Sequence, residues 1–339
     1  MKAAIFSFVA RRRVLSVAIA LLVVAAAAGA IAVRRSGDDV VRATAATTPT
    51  TSTTTSEPVT APPDTAADTV PPDTTPVEPA APEPEPEPPA TDAPAPEAAP
   101  APPPAFPTEA TTGPTGALSP SGGMTITDAG SVVDGLDIDG CVTIKAPDVT
   151  IRNSRIRCSG PYVVRNLDQP GATLDHVELD GAGSPDTIAT AGTNLTINAA
   201  NIHGMGDGPR AGSGSTIQNS YIHDLVEGNG SHNDGIQSTD GSNITITGNN
   251  IQNPHRQTSA ILIGADLGDI ANVYIAGNLL NGGSFTVYAG NDPGHSCRNV
   301  SVVNNAFGRD FLYGTSNTNV AVTWTGNYFA DNGAPVDLD

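Results

Sequence analysis

The chain has 339 residues, with 16 basic against 35 acidic side chains, a net charge of −19 and only 4% aromatic residues. That balance argues against nucleic acid as a partner, because neutralising phosphates needs clustered Lys and Arg. A neutral glycan, or an acidic one bridged by a cation, remains compatible with it.

Residues 1–35 carry six basic side chains and no acidic one. Lys2 and Arg11 to Arg13 precede an uncharged run at 14–33, long enough as a helix to span a hydrocarbon core of roughly 30 Å. The basic flank places the N-terminus inside and the rest of the chain outside. Ala28-Gly29-Ala30, after a shorter apolar core at 14–24, also reads as a cleavage site. A retained membrane anchor and a removed signal peptide both stay open, and both export the remainder. Residues 36–120 hold thirteen acidic side chains against Arg42 alone, and most of the Pro. Thr and Ser crowd 47–56, Pro and Glu alternate through 82–88, and no hydrophobic period is present. Such a segment cannot bury enough apolar surface to offset its ordering entropy, so a disordered linker is expected. In extended polyproline form, at ~3.1 Å per residue, it reaches roughly 260 Å. It suits a spacer that carries a domain through or beyond a cell wall, and the Ser/Thr cluster suits O-glycosylation.

Residues 121–339 contain all the His, Tyr and Cys, and 22 acidic against nine basic side chains. An all-β pattern repeats there. The segments 149–156, 195–202, 215–222, 244–251, 273–280, 300–307 and 322–329 share one spacing, and 172–179 is a weaker copy. Their first, third and eighth positions are apolar, and their starts lie roughly 20–29 residues apart, the period of a solenoid. Each copy covers two short strands and a bend. The sixth position is Asn249, Asn278, Asn305 and Asn327 in the later copies, and Ser154 and Ser220 in earlier ones. Asn tolerates a left-handed bend, and stacked amides satisfy backbone groups that a buried turn leaves bare. Residues 124–138 read as an entry coil. Cys141 and Cys158 stand about one coil apart, so they either pair in an oxidising compartment or sit as small buried hydrophobes. Cys297 has no His/Cys cluster at metal-ligand spacing beside it.

A further strand precedes each copy, aligned at 162–165, 186–189, 207–210, 234–237, 259–262, 285–288 and 310–312. With Val164, Ile188, Ile236, Ile261 and Val287 inward, Arg165, Ala189, Arg210, Gln237, Leu262 and Tyr288 form an outward column at ~4.8 Å per coil. Arg165, Gln237 and Tyr288 suit a sugar surface; an ordinary polar sheet face is the alternative. Asp207-Gly208 and Asp234-Gly235 share a register, so the two carboxylates are expected to share a proton or hold a divalent cation such as Ca²⁺. Asx-turn chemistry explains each Asp taken alone. His203, His223, Asp224, Glu227 and His232 crowd the connections before these strands, whereas His176, His255 and His295 read as isolated.

The repeated Asn bend, with PDVTIRNSRI and SHNDGIQSTDGSNITITGNNIQN as its local style, resembles the right-handed parallel β-helix of the pectate-lyase-like superfamily, and uncharacterised β-helix repeat proteins of bacterial surfaces. The resemblance covers about 124–339. It implies a monomeric, extracellular polysaccharide-binding domain, with lyase chemistry as one expectation: Arg210 or Arg165 neutralising a uronate, and His232 or Tyr288 as base. Hydrolysis by Asp207 and Asp234 is a second. The polygalacturonase set (Asn-Thr-Asp, Asp-Asp, Gly-His-Gly, Arg-Ile-Lys) and the Asp-Pro-His-Glu signature of alginate epimerases are absent, so an adhesive glycan-binding domain and a purely structural solenoid stand beside the enzyme.

Overall fold

The computed structural model describes residues 105–228 and 230–339. The expected membrane segment at 14–33, the cleavage site and most of the linker lie outside them. Among the described residues no helix is long and apolar enough to cross a membrane.

One 3-10 turn, Glu109–Thr111, is the helical element here; the other regular elements are strands, in parallel ladders. They form sheets of eleven, nine and four strands, which the chain visits in turn, as a parallel β-helix requires. The apolar positions stack as the spacing demands. Ile151, Leu174, Ile197, Ile217, Ile246, Ile275 and Val302 are partners in successive coils of the nine-stranded sheet, all almost fully buried. Ile138, Ile156, Leu179, Ile202, Ile222, Ile251, Leu280 and Phe307 do the same in the eleven-stranded sheet. Each side chain contributes roughly 1.5–3 kcal/mol on burial, so the stacked interior is what holds the coils together.

The bend carries the Asn ladder. Asn249, Asn278 and Asn305 each donate Nδ2–H to the Oδ1 of the next, ending on Asn327, at 2.9, 2.9 and 3.1 Å. The same Oδ1 atoms accept the backbone N–H of the preceding coil's Asn at 2.8–3.0 Å. Ser220 and Ser154 do the accepting half of this work, from Ala200 N and Leu136 N. One expectation is corrected: the ladder Asn are not the left-handed residues. The positive φ belongs to the residue before each, Gly248, Gly277, Asn304 and Gly326, and to Asn153, His176, Ala199 and Asn219 at the same place in the other copies. The preceding residue makes the corner, leaving the ladder side chain to turn inward.

A second Asn file was not foreseen. Asn243, Asn272 and Asn299 have φ of 59°, 59° and 54°, and their side chains bond one to the next at 3.0 and 2.7 Å along an exposed corner.

Cys141 and Cys158 form a disulfide, with Cα atoms 5.1 Å apart. Cys297 is buried, and burial pushes its thiol up to about 11.

The four-stranded sheet comprises Ile236–Ser238, Ile261–Gly264, Phe285–Gly290 and Gly314–Thr318. Its last strand was expected at 310–312 and lies further on, with Asn317 beside Tyr288. The alignment at 186–189 is also corrected. Tyr162 pairs with Ile188, Val164 with Thr190 and Arg165 with Ala191, so Ala191 rather than Ala189 stands beside Arg165; Ala189 is fully buried, whereas Ile188, expected inward, is only partly so. The register shifts at Met205, opposite Ser184, show why: this corner absorbs residues that no strand spacing reveals.

Residues 107–116, assigned by composition to the linker, lie against the coils. Pro107 O accepts Asn250 Nδ2–H, Gly113 N donates to Ala199 O, and Thr115 N donates to Asn153 Oδ1, at 2.8, 2.9 and 2.7 Å. This strap then enters the strand Ser119–Ile126.

Candidate functional site

Asp207-Gly208 and Asp234-Gly235 open the third face in neighbouring coils. Neither Gly has the positive φ of an Asx turn. Each is needed for another reason: a Cβ on Gly208 would lie 1.8 Å from Gly235 O, and one on Gly235 would lie 2.5 Å from Ala260 O. The coils approach closely here.

The two Asp open a hydrogen-bonded chain. Asp234 N donates to Asp207 Oδ1 at 3.0 Å. Asp234 is fully buried, and its oxygens accept from Ser259 Oγ at 2.9 Å and Gln237 Nε2 at 3.0 Å. Gln237 Oε1 in turn accepts from Arg210 Nη2 at 3.1 Å. Arg210 is partly exposed, but its Nε–H is buried and has no acceptor among the described residues. The guanidinium is thus fixed at one end on Gln237 while the residue stays partly open to solvent. Charge-assisted donors of this kind suit a carboxylate or a hydroxyl.

Of the expected column, Arg210, Gln237, Leu262 and Tyr288 share one file across successive coils, continued by Asn317; its expected outward exposure is corrected, since Gln237, Leu262, Tyr288 and Asn317 are buried and only Arg210 is partly open. Tyr288 is buried, and its hydroxyl is pushed up to about 12, first by burial and then by the Asp234 charge. A phenol held there does not serve as a base near neutrality. Arg165 is separated from Arg210 by Ala191 and lies over the Tyr162 ring, 5.4 Å from its centroid. The file therefore reaches it only through a small side chain. His232 stands two residues ahead of Asp234, half-buried in the connection into this strand.

No group of three or more His, Cys, Asp or Glu side chains is arranged to hold a metal ion among the described residues. Ca²⁺ takes six to eight oxygens, and most of the Asp234 capacity is spent on Gln237 and Ser259. Asp207 and Asp234 do not by themselves make a resident cation site.

The titratable side chains upstream form a separate cluster on the eleven-stranded sheet. His203 Nε2 lies 3.3 Å from Glu178 Oε1, and this hydrogen bond, helped by Asp180, raises the His203 pKa against the effect of burial. His223 bonds Asn201 and Asp224 at 2.8 Å each and stacks on Tyr221 at 4.1 Å. A shallow cavity of ≈ 490 Å³ lies between Tyr221 and the strap residues Thr108, Glu109 and Ala110. His255 is tied to Leu225 O and to Glu227, a structural use.

Two features of the third face escaped sequence reasoning. Ser259 was visible at the start of an aligned strand, but its bond to Asp234 was not. Tyr313, whose ring centroid is 5.5 Å from that of Phe285, was hidden by the misplaced last strand.

No protein-family model matches the chain, and no curated protein does. Among solved structures, the catalytic domain of Agl-KA is similar at 17% identity and a TM-score of 0.35, over 60% of this chain and 48% of that one. The match thus spans about half of that chain.

Proposed function

We propose that this is an exported domain of the right-handed β-helix type whose third face binds and cleaves an acidic polysaccharide. The observation that carries the reading is the partly exposed Arg210 guanidinium, oriented by its bond to Gln237, which Asp234 accepts from in turn. Export rests on the basic flank and uncharged run at 14–33, with the domain displayed at the cell surface or secreted.

In this reading Arg210 offsets the substrate carboxylate, which lowers the cost of the enolate-like species formed in β-elimination. His232 takes the proton. Asp234 is a positioning residue, since its oxygens are engaged within the fold. Asp207, partly exposed on the neighbouring coil, faces the sugar. The second reading, hydrolysis by the Asp pair, is favoured by their placement on adjacent rungs, near the ~5–5.5 Å of a retaining pair. It is weakened by the burial of Asp234.

Purified domain incubated with pectate, alginate and glycosaminoglycans tests this. New ultraviolet absorbance from unsaturated ends, lost in both His232→Ala and Arg210→Ala, is the expected result. Reducing ends without that absorbance transfer the chemistry to the Asp pair. Binding without cleavage leaves an adhesive domain, and absence of binding to every acidic glycan overturns the proposal.

A further inference from the structure

Three of the large apolar side chains exposed among the described residues gather at one end of the four-stranded sheet: Leu312 at 39%, Tyr313 at 59% and Leu338 at 40%. Their placement is fixed by the backbone. Leu312 N donates to Gly283 O and Tyr313 N to Ser284 O, at 3.0 and 2.8 Å. Leu338 is brought there by Asp339, whose Oδ2 accepts from Ser316 N at 3.0 Å and whose N donates to Ser316 Oγ at 2.9 Å.

Beneath Tyr313 lies Phe285, buried, with ring centroids 5.5 Å apart. Phe285 meets Tyr288 edge-to-face, also at 5.5 Å. Tyr288 in turn senses the Asp234 charge. An aromatic shelf therefore runs from the exposed Tyr313 ring to the polar chain of Asp234, Gln237 and Arg210. An exposed ring backed by a buried one, on the same sheet face as the partly exposed Arg210 guanidinium, offers two kinds of contact in line. A pyranose has the matching two: an apolar C–H face and a polar hydroxyl edge.

We infer that Tyr313, supported by Phe285, is the stacking platform of a second sugar subsite on the same polysaccharide chain. The inference rests on the proposed glycan reading of this face. Gln237 and Asn317 are three coils apart, roughly 14 Å at ~4.8 Å per coil. Tyr313 precedes the Asn317 strand, so a single sugar unit bound at Arg210 does not reach it. Only a longer chain occupies both places.

The test compares binding of the polymer and of its disaccharide to wild-type domain, Tyr313→Ala, Tyr313→Phe and Tyr313→Trp. Tyr313→Ala weakens polymer binding about three- to tenfold, the scale of one aromatic contact, and leaves the disaccharide unchanged. Phe and Trp at the same position retain polymer binding. A fold defect lowers both ligands together, and that outcome, or wild-type polymer affinity in Tyr313→Ala, overturns the subsite alone. A wild-type domain that binds no glycan overturns the glycan reading and the subsite with it.

Discussion

Asn278 makes four hydrogen bonds with one side chain. Its Nδ2 reaches Ile246 O and Asn305 Oδ1, and its Oδ1 accepts from Asn249 N and Nδ2. The residue is fully buried. Asn278→Ala leaves several polar atoms bare and costs roughly 1–3 kcal/mol, the penalty of unsatisfied buried groups. Chemical denaturation of the domain measures it, and a loss below ~0.5 kcal/mol contradicts the ladder's structural role. A second residue-scale outcome concerns His203. Its folded pKa is raised, chiefly by the bond to Glu178, so the native state holds a proton more tightly than the unfolded chain. The resulting stabilisation is complete below the unfolded value of ~6.5 and is lost as pH rises through the raised one. The denaturation midpoint therefore falls between neutral and mildly alkaline pH, and His203→Gln flattens that slope. A wild-type midpoint that stays level over the same range refutes it.

At the scale of elements, the strap formed by residues 107–116 is the unexpected piece. Its three hydrogen bonds fall on Asn250, Ala199 and Asn153, and it covers part of Tyr221. Deleting residues 105–116 from the domain removes these bonds without touching any ladder between coils. At roughly 0.5–1.5 kcal/mol each, their loss lowers stability by about 2–4 kcal/mol, read as a melting point several degrees lower with unchanged β content. An unaltered melting point shows the strap to be loosely held. Composition could not reveal this element: Thr-Glu-Ala-Thr-Thr-Gly-Pro has no apolar period, and its order comes from carbonyl and amide partners on coils far along the chain. The coils themselves were legible because each repeat must place its third and eighth side chains inside. The corners were not, since register shifts at Met205 and the glycine approach at Gly208 depend on the neighbouring coil. The candidate site was accordingly half legible. Arg210, Gln237 and Asp234 follow from strand alignment, whereas Tyr313 depended on a strand displaced from its expected place.

For the whole molecule, the strap decides where a pull would act. A chain leading into residue 105 meets the solenoid beside Asn250, well past its first strand Ser119–Ile126. Tension on that chain loads the bond at Pro107 first, then the one at Gly113, then the one at Thr115, and only afterwards the opening coil. Bonds broken one after another yield at low force, like a zipper, whereas those of a strand sheared lengthwise fail together. Under such tension the strap, held by three hydrogen bonds, yields before the stacked interior behind it.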